Sequence, residues 1–359
     1  MHSQPPWNRI LVTRMSAMGD IIHSLPAVAA LRQAFPSATI GWAIEDRWAE
    51  LISAPSAQQG RSPAQPLVDV VHRVQTRVWR SSPLSAATRK EIRAVIADLK
   101  KVGYDLAIDL QAAIRSALLG RLSGARTRIG FAKPRESLSK LFYTQTVRTP
   151  APHVVEQGME LVQSISGKTG LPIEFLFPRD AESESWCDAQ LRGLSGDFVM
   201  MNPGAGWGAK CWPAARYGNL AKRLKKAGLP AILNLGPGEE ALGHEVEAAS
   251  EGAAKPVSCS LIQLIALTRR ARLFVGGDTG PVHLAAAQNI PVVAIYGPTN
   301  PQRNGPYGPQ GPNGGRIVVL RSPESQTSHA RRAAPESGLL QITVDDVFSA
   351  ACRLIGGCS

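Results

Sequence analysis

One motif recurs along this chain and constrains its fold more than any other feature: an apolar segment, a glycine-containing loop and then a helical segment. It appears first where ILVTR leads through MSAMGD into residues with a helical spacing of apolar side chains. It returns in the second half of the chain at FVMMNPGAG, PAILNLGPG and RLFVGGDTG. Short apolar strands that alternate with helices predict an α/β fold, with parallel sheets covered by helices.

Pro26 falls inside the first helical segment, where a proline disrupts the hydrogen-bond ladder. We therefore expect either a kink at Pro26 or a helix that begins near Ser24. Apolar periodicity predicts further helices around residues 85–101, 115–122, 215–227, 239–249, 281–289 and 344–355. Polar composition predicts loops at residues 53–68 and 322–338.

The chain length of 359 residues predicts two domains, because one hydrophobic core rarely serves more than about 250–300 residues. Glycine, proline and acidic residues interrupt the apolar periodicity in SGKTGLPIEFLFPRDAESESW, which is typical of a linker. We expect an N-terminal Rossmann-like domain at residues 1–175 and a C-terminal one at residues 176–359, with the last helix free to pack back on the first domain. Ligands of such sheets bind at the carboxyl ends of the strands, here in a cleft between the domains.

Composition excludes several classes of protein. Hydrophobic residues make up 44% of the chain and charged residues 19%, with a mean hydropathy of -0.08, which excludes a disordered chain, a coiled coil and collagen. No apolar run reaches the ~18–20 residues of a membrane span, and the first residues lack the order of a signal peptide, so we expect a cytoplasmic protein. Five cysteines without C-x-x-C or metal-ligand spacing are expected to be reduced and without a catalytic role: Cys187, Cys211, Cys259, Cys352 and Cys358.

Charge is distributed unevenly along the chain. Residues 1–175 contain 22 basic and 13 acidic residues, so they carry +9 of the net charge of +12. The densest stretch, residues 115–148, has eight basic residues against one acidic residue. It is either a solvated basic face or a surface for an anionic partner such as nucleic acid, an acidic membrane or a phosphorylated substrate. Aromatic residues are not regularly interleaved with its arginines, so nucleic-acid binding is disfavoured.

The segment RLFVGGDTGPVHLAAAQ predicts an anion site at the start of a helix. Pro281 suits the first helical position, and the backbone amides of Thr279 and Gly280 are then free to bind a diphosphate. Asp278 either accepts hydrogen bonds from sugar hydroxyls or braces the loop. His283, in the first turn, is either a core residue or a ligand-binding one.

Three further segments carry candidate residues, and each has an ordinary structural alternative. Lys210 closes the loop MNPGAGWGAK and either contacts a phosphate or is solvated; the loop lacks the spacing of a Walker motif. Glu239 or Glu240 either stabilises a helix N-terminus or binds a ribose diol. Asp20 is either a helix N-cap or a general base for an incoming hydroxyl.

Together these segments resemble the ADP-heptose:lipopolysaccharide heptosyltransferases of glycosyltransferase family 9, most closely the heptosyltransferase I branch. The resemblance covers roughly residues 9–320 and rests on SAMGDIIHSLPAVAALRQAFP, DLQAAIRSALLG with RIGF, HVVEQGMEL, KCWP and GGDTGPVHLAAAQNIPVVAIYGPTNPQRNGPYG. It implies an inverting glycosyltransferase of the GT-B type, with two Rossmann-like domains. The implied donor is ADP-L-glycero-D-manno-heptose, and the implied acceptor is the Kdo region of lipid A.

The resemblance also implies roles for individual residues. Asp20 is the implied catalytic base and Lys210 the implied cation on the donor diphosphate, with Glu239 or Glu240 on the ribose. Asp278 is implied to bind the heptose, and Thr279, Gly280 and His283 are implied to lie around the phosphates. No Asp-x-Asp metal motif is present, so we expect no metal and no cofactor.

The basic stretch is predicted to bind the anionic acceptor through Arg115, Arg121, Arg126 and Arg128, which places the protein at the periphery of the inner membrane. Two alternative functions share the predicted fold. One is a heptosyltransferase II or another core-sugar transferase, and the other is a sugar-nucleotide epimerase. A third belongs to another class, a basic protein that binds nucleic acid or a membrane surface.

Overall fold

The computed structural model describes residues 7–194, 196–312, 314–328 and 332–358. It divides into two compact units, Met1–Asp180 and Ala181–Ser359. The boundary predicted after residue 175 falls in the segment 167–180, which forms neither helix nor strand. No helix among the described residues is both long and apolar enough to cross a bilayer.

The first unit contains a six-stranded parallel sheet in the order β3-β2-β1-β4-β5-β6. The strands are β1 (Arg9–Thr13), β2 (Thr39–Glu45), β3 (Val70–Val74), β4 (Leu106–Asp109), β5 (Thr127–Phe131) and β6 (Gln145–Val147). The helices are α1 (Met18–Ala34), α2 (Thr76–Ser81), α3 (Ala86–Val102), α4 (Ile114–Leu122) and α5 (Val154–Ser166), with 3-10 helices at Asp46–Leu51 and Ser137–Phe142. The central strands are apolar without alternation because helices cover both faces of a parallel sheet.

Helix α1 runs through Pro26 without ending there, so the predicted start near Ser24 is wrong. Its residues are buried on nearly every side, and α5 and the 3-10 helix at Asp46–Leu51 pack against it. A Cβ atom on Gly158 of α5 would lie 3.2 Å from the Cβ of Ala27, so the glycine permits this close approach. Packing on several sides offsets the local cost of the proline.

The second unit repeats the architecture, with a six-stranded parallel sheet in the order β12-β11-β10-β7-β8-β9. Its strands are β7 (Val199–Asn202), β8 (Ala231–Asn234), β9 (Ala254–Val257), β10 (Leu273–Gly277), β11 (Val292–Tyr296) and β12 (Ile317–Arg321). Its helices are α6 (Ala181–Gln190), α7 (Ala214–Lys226), α8 (Glu240–Ala249), α9 (Leu261–Arg270), α10 (Gly280–Ala287), α11 (Pro301–Asn304), α12 (Ser337–Gln341) and α13 (Val344–Ile355), with a 3-10 turn at Gly208–Lys210.

The last helix, α13, belongs to the second unit. It packs against α7 and strands β10, β11 and β12. Its buried face contributes Val347, Ala350 and Ala351 to a cluster that includes Val293 and Ile295. The apolar face of the helix therefore packs against this sheet and α7.

Cys352 and Cys358 form a disulfide bond, so the prediction that all five cysteines are reduced is wrong for this pair. Helix α13 ends at Gly356, whose φ of 86° is left-handed, and Gly357 also has a positive φ of 119°. These two glycines turn the chain back, which brings the Cα atoms of the cysteines to 5.1 Å. The remaining three cysteines are free.

Candidate active site

In the second unit, the two glycine-rich loops predicted from the sequence lie side by side. Strands β7 and β10 are adjacent at the centre of the sheet, where the strand order reverses. The loops that follow them begin at Pro203 and Asp278, and the side-chain amide of Asn202 lies 3.5 Å from the Thr279 hydroxyl. A reversal of this kind opens a crevice at the carboxyl ends of the strands, the usual ligand site in such folds.

Lys210 and Asp278 form an ion pair inside this crevice. The Lys210 ammonium lies 2.5 Å from Oδ2 of Asp278 and 3.4 Å from its backbone oxygen. Only 17% of the lysine side chain and 6% of the aspartate side chain are exposed. The ammonium also lies 4.8 Å from the ring centroid of Trp207. Lys210 is therefore a fixed cation at the crevice and not a solvated loop lysine.

Asp278 is held by two more side chains. The hydroxyl of Tyr296 donates to Oδ1 over 3.0 Å, and Nε2 of His283 lies 3.4 Å from the same oxygen. Burial alone would raise the pKa of Asp278, but the hydrogen bond from His283 and the charges of His283 and Lys210 together lower it below its usual range. Asp278 is therefore an ionised carboxylate that connects its loop to Lys210. Its contact with sugar hydroxyls stays a prediction.

Helix α10 presents its N-terminus at the same crevice. It begins at Gly280 after an extended Thr279, with Pro281 in its first turn. The Thr279 hydroxyl donates to the backbone oxygen of Gly277 over 3.3 Å and does not cap the helix. The first amides of the helix can therefore point at a bound anion, which the helix dipole also favours.

The structure separates the two candidate glutamates. Oε2 of Glu239 accepts a hydrogen bond from the Gly236 amide over 2.7 Å, and its carboxyl group lies so close to Gly204 that a Cβ there would be 2.0 Å from Oε1. Glu239 therefore lies over the loop that follows β7. Glu240 is exposed and accepts from the Gly238 amide over 3.2 Å, and backbone hydrogen bonds lower its pKa.

Two buried asparagines at this site were not among the predicted residues. Asn202 ends β7 and Asn234 ends β8, and the Asn234 amide donates to Oδ1 of Asn202 over 2.6 Å. The Asn202 amide in turn donates to the backbone oxygen of Gly204 over 2.9 Å, which shapes the loop. The only sequence signal was an asparagine at the end of each apolar strand.

Cys211, nearby, has a pKa raised by burial, in keeping with its interpretation as a small apolar side chain.

In the first unit, Asp20 lies near the corresponding reversal between β1 and β4. It occupies the third position of α1, and Ala17 is the N-cap, so Asp20 is not the N-cap itself. Its Oδ2 accepts from the Ala17 amide over 3.2 Å, and its Oδ1 lies 2.9 Å from Nη2 of Arg14. The side chain remains 36% exposed, which leaves the carboxylate accessible to a substrate proton.

Arg14 was not predicted as a site residue, yet it connects Asp20 to the sheet. Its guanidinium is only 12% exposed and donates to the backbone oxygen of Leu110 over 2.5 Å. Leu110 follows β4, whose last residue, Asp109, is buried and accepts from the hydroxyl of Tyr143 over 2.7 Å. Burial raises the pKa of Asp109. Arg14 therefore fixes the position of the Asp20 carboxylate from the rigid end of a central strand.

The four predicted acceptor arginines have different surroundings. Arg115 donates to the hydroxyl of Thr76 over 3.0 Å. Arg128 donates to backbone oxygens of Phe142 and Ala125 over 2.7 and 2.8 Å, so it holds the chain beside β5. Arg121 and Arg126 are exposed. Burial and the charge of Arg121 lower the pKa of Arg128.

Two Rossmann-like units with a cation and a helix N-terminus at a sheet reversal are the architecture of GT-B glycosyltransferases, and the predicted fold class is confirmed. The model of glycosyltransferase family 9 (heptosyltransferase) matches residues 92–334. The chain therefore belongs to glycosyltransferase family 9 and is a glycosyltransferase.

Curated relatives cover most of the chain. Lipopolysaccharide heptosyltransferase 1 of Pseudomonas aeruginosa is 30% identical over 306 residues, which cover 84% of this chain and 81% of that protein. The protein of the same name from Salmonella typhimurium is 30% identical over 312 residues, covering 84% and 92%. The resemblance predicted from the sequence motifs is confirmed.

Solved structures agree in fold. E. coli heptosyltransferase WaaC with ADP-2-deoxy-2-fluoro heptose has a TM-score of 0.73 and 26% sequence identity, covering 95% of this chain and 98% of that one. A family 9 glycosyltransferase of Veillonella parvula has a TM-score of 0.82 and 23% identity, with 98% of each chain covered.

Proposed function

We propose that this protein transfers heptose, with inversion, from ADP-L-glycero-D-manno-heptose to the Kdo region of lipid A, at the cytoplasmic face of the inner membrane. The observation that carries the proposal is the buried Lys210–Asp278 pair beside the start of α10. Lys210 supplies a fixed cation for a diphosphate, and the start of α10 supplies free backbone amides. The relatives named lipopolysaccharide heptosyltransferase 1, and the E. coli structure with an ADP-heptose analogue, support this choice of donor and pathway.

The donor diphosphate binds Lys210 and the backbone amides of Thr279 and Gly280. His283 lies near the phosphates in the first turn of α10. Lys210 contacts the phosphates before reaction and interacts with them more strongly as negative charge develops on the departing ADP. Because the site is largely buried, these charges are weakly screened by water. Asp278 accepts hydrogen bonds from heptose hydroxyls while it keeps Lys210 in place.

Asp20 acts as the general base on the acceptor. Its carboxylate takes the proton of the acceptor hydroxyl, and the hydroxyl oxygen forms a bond to the anomeric carbon of heptose. The bond from that carbon to the ADP oxygen breaks on the opposite face, so the configuration inverts and ADP leaves with the electron pair. Arg14 holds the carboxylate ready for this proton transfer.

Incubation with ADP-heptose and a panel of truncated lipid A cores tests the proposed function, with products identified by mass. We expect a mass gain of one heptose on Kdo-lipid A and not on lipid A without Kdo. Transfer only to cores that already carry a heptose would instead assign a later step, and turnover of donor without an acceptor would indicate an epimerase.

Glu239→Gln is expected to raise the KM for ADP-heptose about ten-fold, whereas the matched Glu240→Gln leaves it within two-fold. Glu239 lies against the loop at the donor crevice and Glu240 is exposed beside it, so only the first change removes a charged hydrogen bond to the ribose diol. Steady-state kinetics with ADP-heptose measure both values. The assignment of the ribose contact reverses if Glu240→Gln has the larger effect.

The double substitution Arg121→Gln/Arg126→Gln is expected to raise the KM for Kdo-lipid A several-fold and to flatten its salt dependence. Attraction between exposed charges is screened over about 8–10 Å at physiological ionic strength, so salt reports on it directly. Arg128 is kept because it holds backbone oxygens. Lys225→Gln/Lys226→Gln on α7 is the control. An acceptor KM equal to that of the control would exclude the two arginines from acceptor binding.

A further inference from the structure

A cavity of about 290 Å³ lies in the first unit, between α2, α3 and α4. Most of its wall is hydrocarbon, from the side chains of Trp79, Ile92, Ile96, Leu118, Leu119 and Leu122. Thr76, Arg80 and Arg115 complete the lining. Apart from Arg115, none of these residues was assigned to donor, acceptor or proton transfer, so the proposed reaction leaves the cavity without a role.

Exposed aliphatic side chains concentrate around this cavity. Of the seven large hydrophobic side chains exposed among the described residues, five belong to this part of the first unit. Val78 on α2 is 47% exposed and Leu84, just before α3, is 83% exposed. Leu118 on α4 lines the cavity itself, and Leu138 and Leu141 lie on the 3-10 helix packed against α4. Clustered exposed apolar side chains mark an interaction surface.

Positive charge surrounds the same apolar surface. Residues 76–93, which form α2 and the start of α3, contain five basic residues and one acidic residue. Arg80 and Arg115 are exposed and lie at the cavity itself. Aliphatic side chains among arginines are the combination that binds an anionic bilayer surface, where apolar groups enter the acyl region and cations meet phosphates.

Trp79 adds an observation of a different kind. It lines the cavity, and no residue in the part of the chain that the structure describes accepts a hydrogen bond from its buried indole N–H. A buried donor without an acceptor is costly. Tryptophan is enriched at membrane interfaces, where its ring contacts acyl chains and its N–H reaches polar groups. The ester carbonyl of a lipid is a suitable acceptor.

We propose that this cavity takes one acyl chain of an anionic phospholipid of the bilayer, with the headgroup phosphate against Arg80 and Arg115. The apolar wall contacts the acyl chain, and Arg80 and Arg115 bind the phosphate. The Trp79 N–H donates to the ester carbonyl. The inference rests on the membrane contact in the proposed function and specifies the surface, the lipid class and the anchoring site. A single chain gives reversible attachment, suited to an enzyme that moves between acceptor molecules.

Vesicle binding tests the role of the headgroup charge and the role of the acyl chain separately. The full chain is expected to bind phosphatidylglycerol vesicles at least ten-fold more tightly than phosphatidylcholine vesicles, and Arg80→Gln is expected to reduce that preference. Phospholipids brominated in the acyl chain should quench tryptophan fluorescence, and Trp79→Phe should lose most of the quenching.

Ile96→Phe fills part of the cavity and is expected to weaken binding to phosphatidylglycerol vesicles about four-fold or more, because each methylene excluded from an apolar site changes the affinity by about that factor. Leu176→Phe, at an exposed leucine outside this surface, is the control. The melting temperature of each variant shows that it is folded. Transfer to a water-soluble, deacylated Kdo acceptor should be unchanged in Ile96→Phe.

Binding and quenching that are equal in Ile96→Phe and the unchanged protein would overturn the acyl-chain site, leaving attraction by charge alone. Concentration-dependent dimers disrupted by Ile96→Phe would overturn it in favour of a second copy of the chain. If vesicle binding behaves as expected but no heptose is transferred to any acceptor, the proposed function fails and the lipid site stands. If transfer to the soluble acceptor is normal and vesicles do not bind, the lipid site fails alone.

Discussion

Asp20→Asn is expected to lower kcat for heptose transfer by about 10²–10⁴-fold, the usual contribution of a general base. The affinity for ADP should stay within a few-fold, because the base acts on the acceptor. Asparagine keeps the shape of the side chain and can still accept from the Ala17 amide, so α1 retains its first turn. Single-turnover kinetics and ADP titration measure the two quantities.

Asp46→Asn is the matched control for this variant, since Asp46 is also paired with an arginine, Arg73, at 3.1 Å in the same unit. Near-normal turnover in Asp20→Asn would remove Asp20 from the mechanism. Arg14→Gln is expected to lower kcat less than Asp20→Asn does and to leave KM for the donor unchanged, because Arg14 acts by positioning the carboxylate.

Lys210→Met is expected to reduce kcat by about 10²–10³-fold, comparable to the loss of one donor that stabilises a developing negative charge, and to weaken ADP-heptose binding as well. The lysine contacts the diphosphate in both the ground state and the transition state, so both quantities change. Lys222→Met is the control, because Lys222 forms an exposed ion pair with Glu251 in the same unit. Unchanged donor affinity and rate in Lys210→Met would contradict the assignment.

A second variant separates catalysis from folding. Lys210→Met leaves the buried Asp278 carboxylate without its ammonium partner, and breaking a buried pair costs about 3–5 kcal/mol of unfolding free energy. The double variant Lys210→Met/Asp278→Asn removes both charges and is expected to recover most of the melting temperature without recovering transfer. Recovery of activity together with stability would show that Lys210 is only structural.

The sequence was sufficient to predict elements with clear local signals. Helix α13 has the predicted bounds, because Thr343 and Asp346 form a capping box and Gly356 ends the helix. Helix α1 was harder to predict. Pro26 is unfavourable locally, and its tolerance depends on packing against α5 that only the tertiary structure shows. The bond between Cys352 and Cys358 likewise depends on the path of the chain after α13.

In the candidate site, the repeated strand–loop–helix motif predicted the two glycine-rich loops, and the sheet order places them side by side after β7 and β10. The asparagine pair was not predicted, because one asparagine at a strand end is common and only the sheet order places Asn202 beside Asn234. Arg128 donates to backbone oxygens, which every residue has, so the sequence does not indicate these contacts. A basic sequence stretch therefore cannot distinguish a ligand-binding arginine from one that supports a loop.

The pairing of Lys210 with Asp278 also has a kinetic consequence. Seen from a distance, the two opposite charges cancel, so the crevice exerts little long-range attraction on an approaching nucleotide. At contact, the ammonium and the helix amides act over a few ångströms with little screening. The association rate of ADP-heptose should then vary little with ionic strength, and discrimination between nucleotides should appear mainly in how slowly the correct one dissociates.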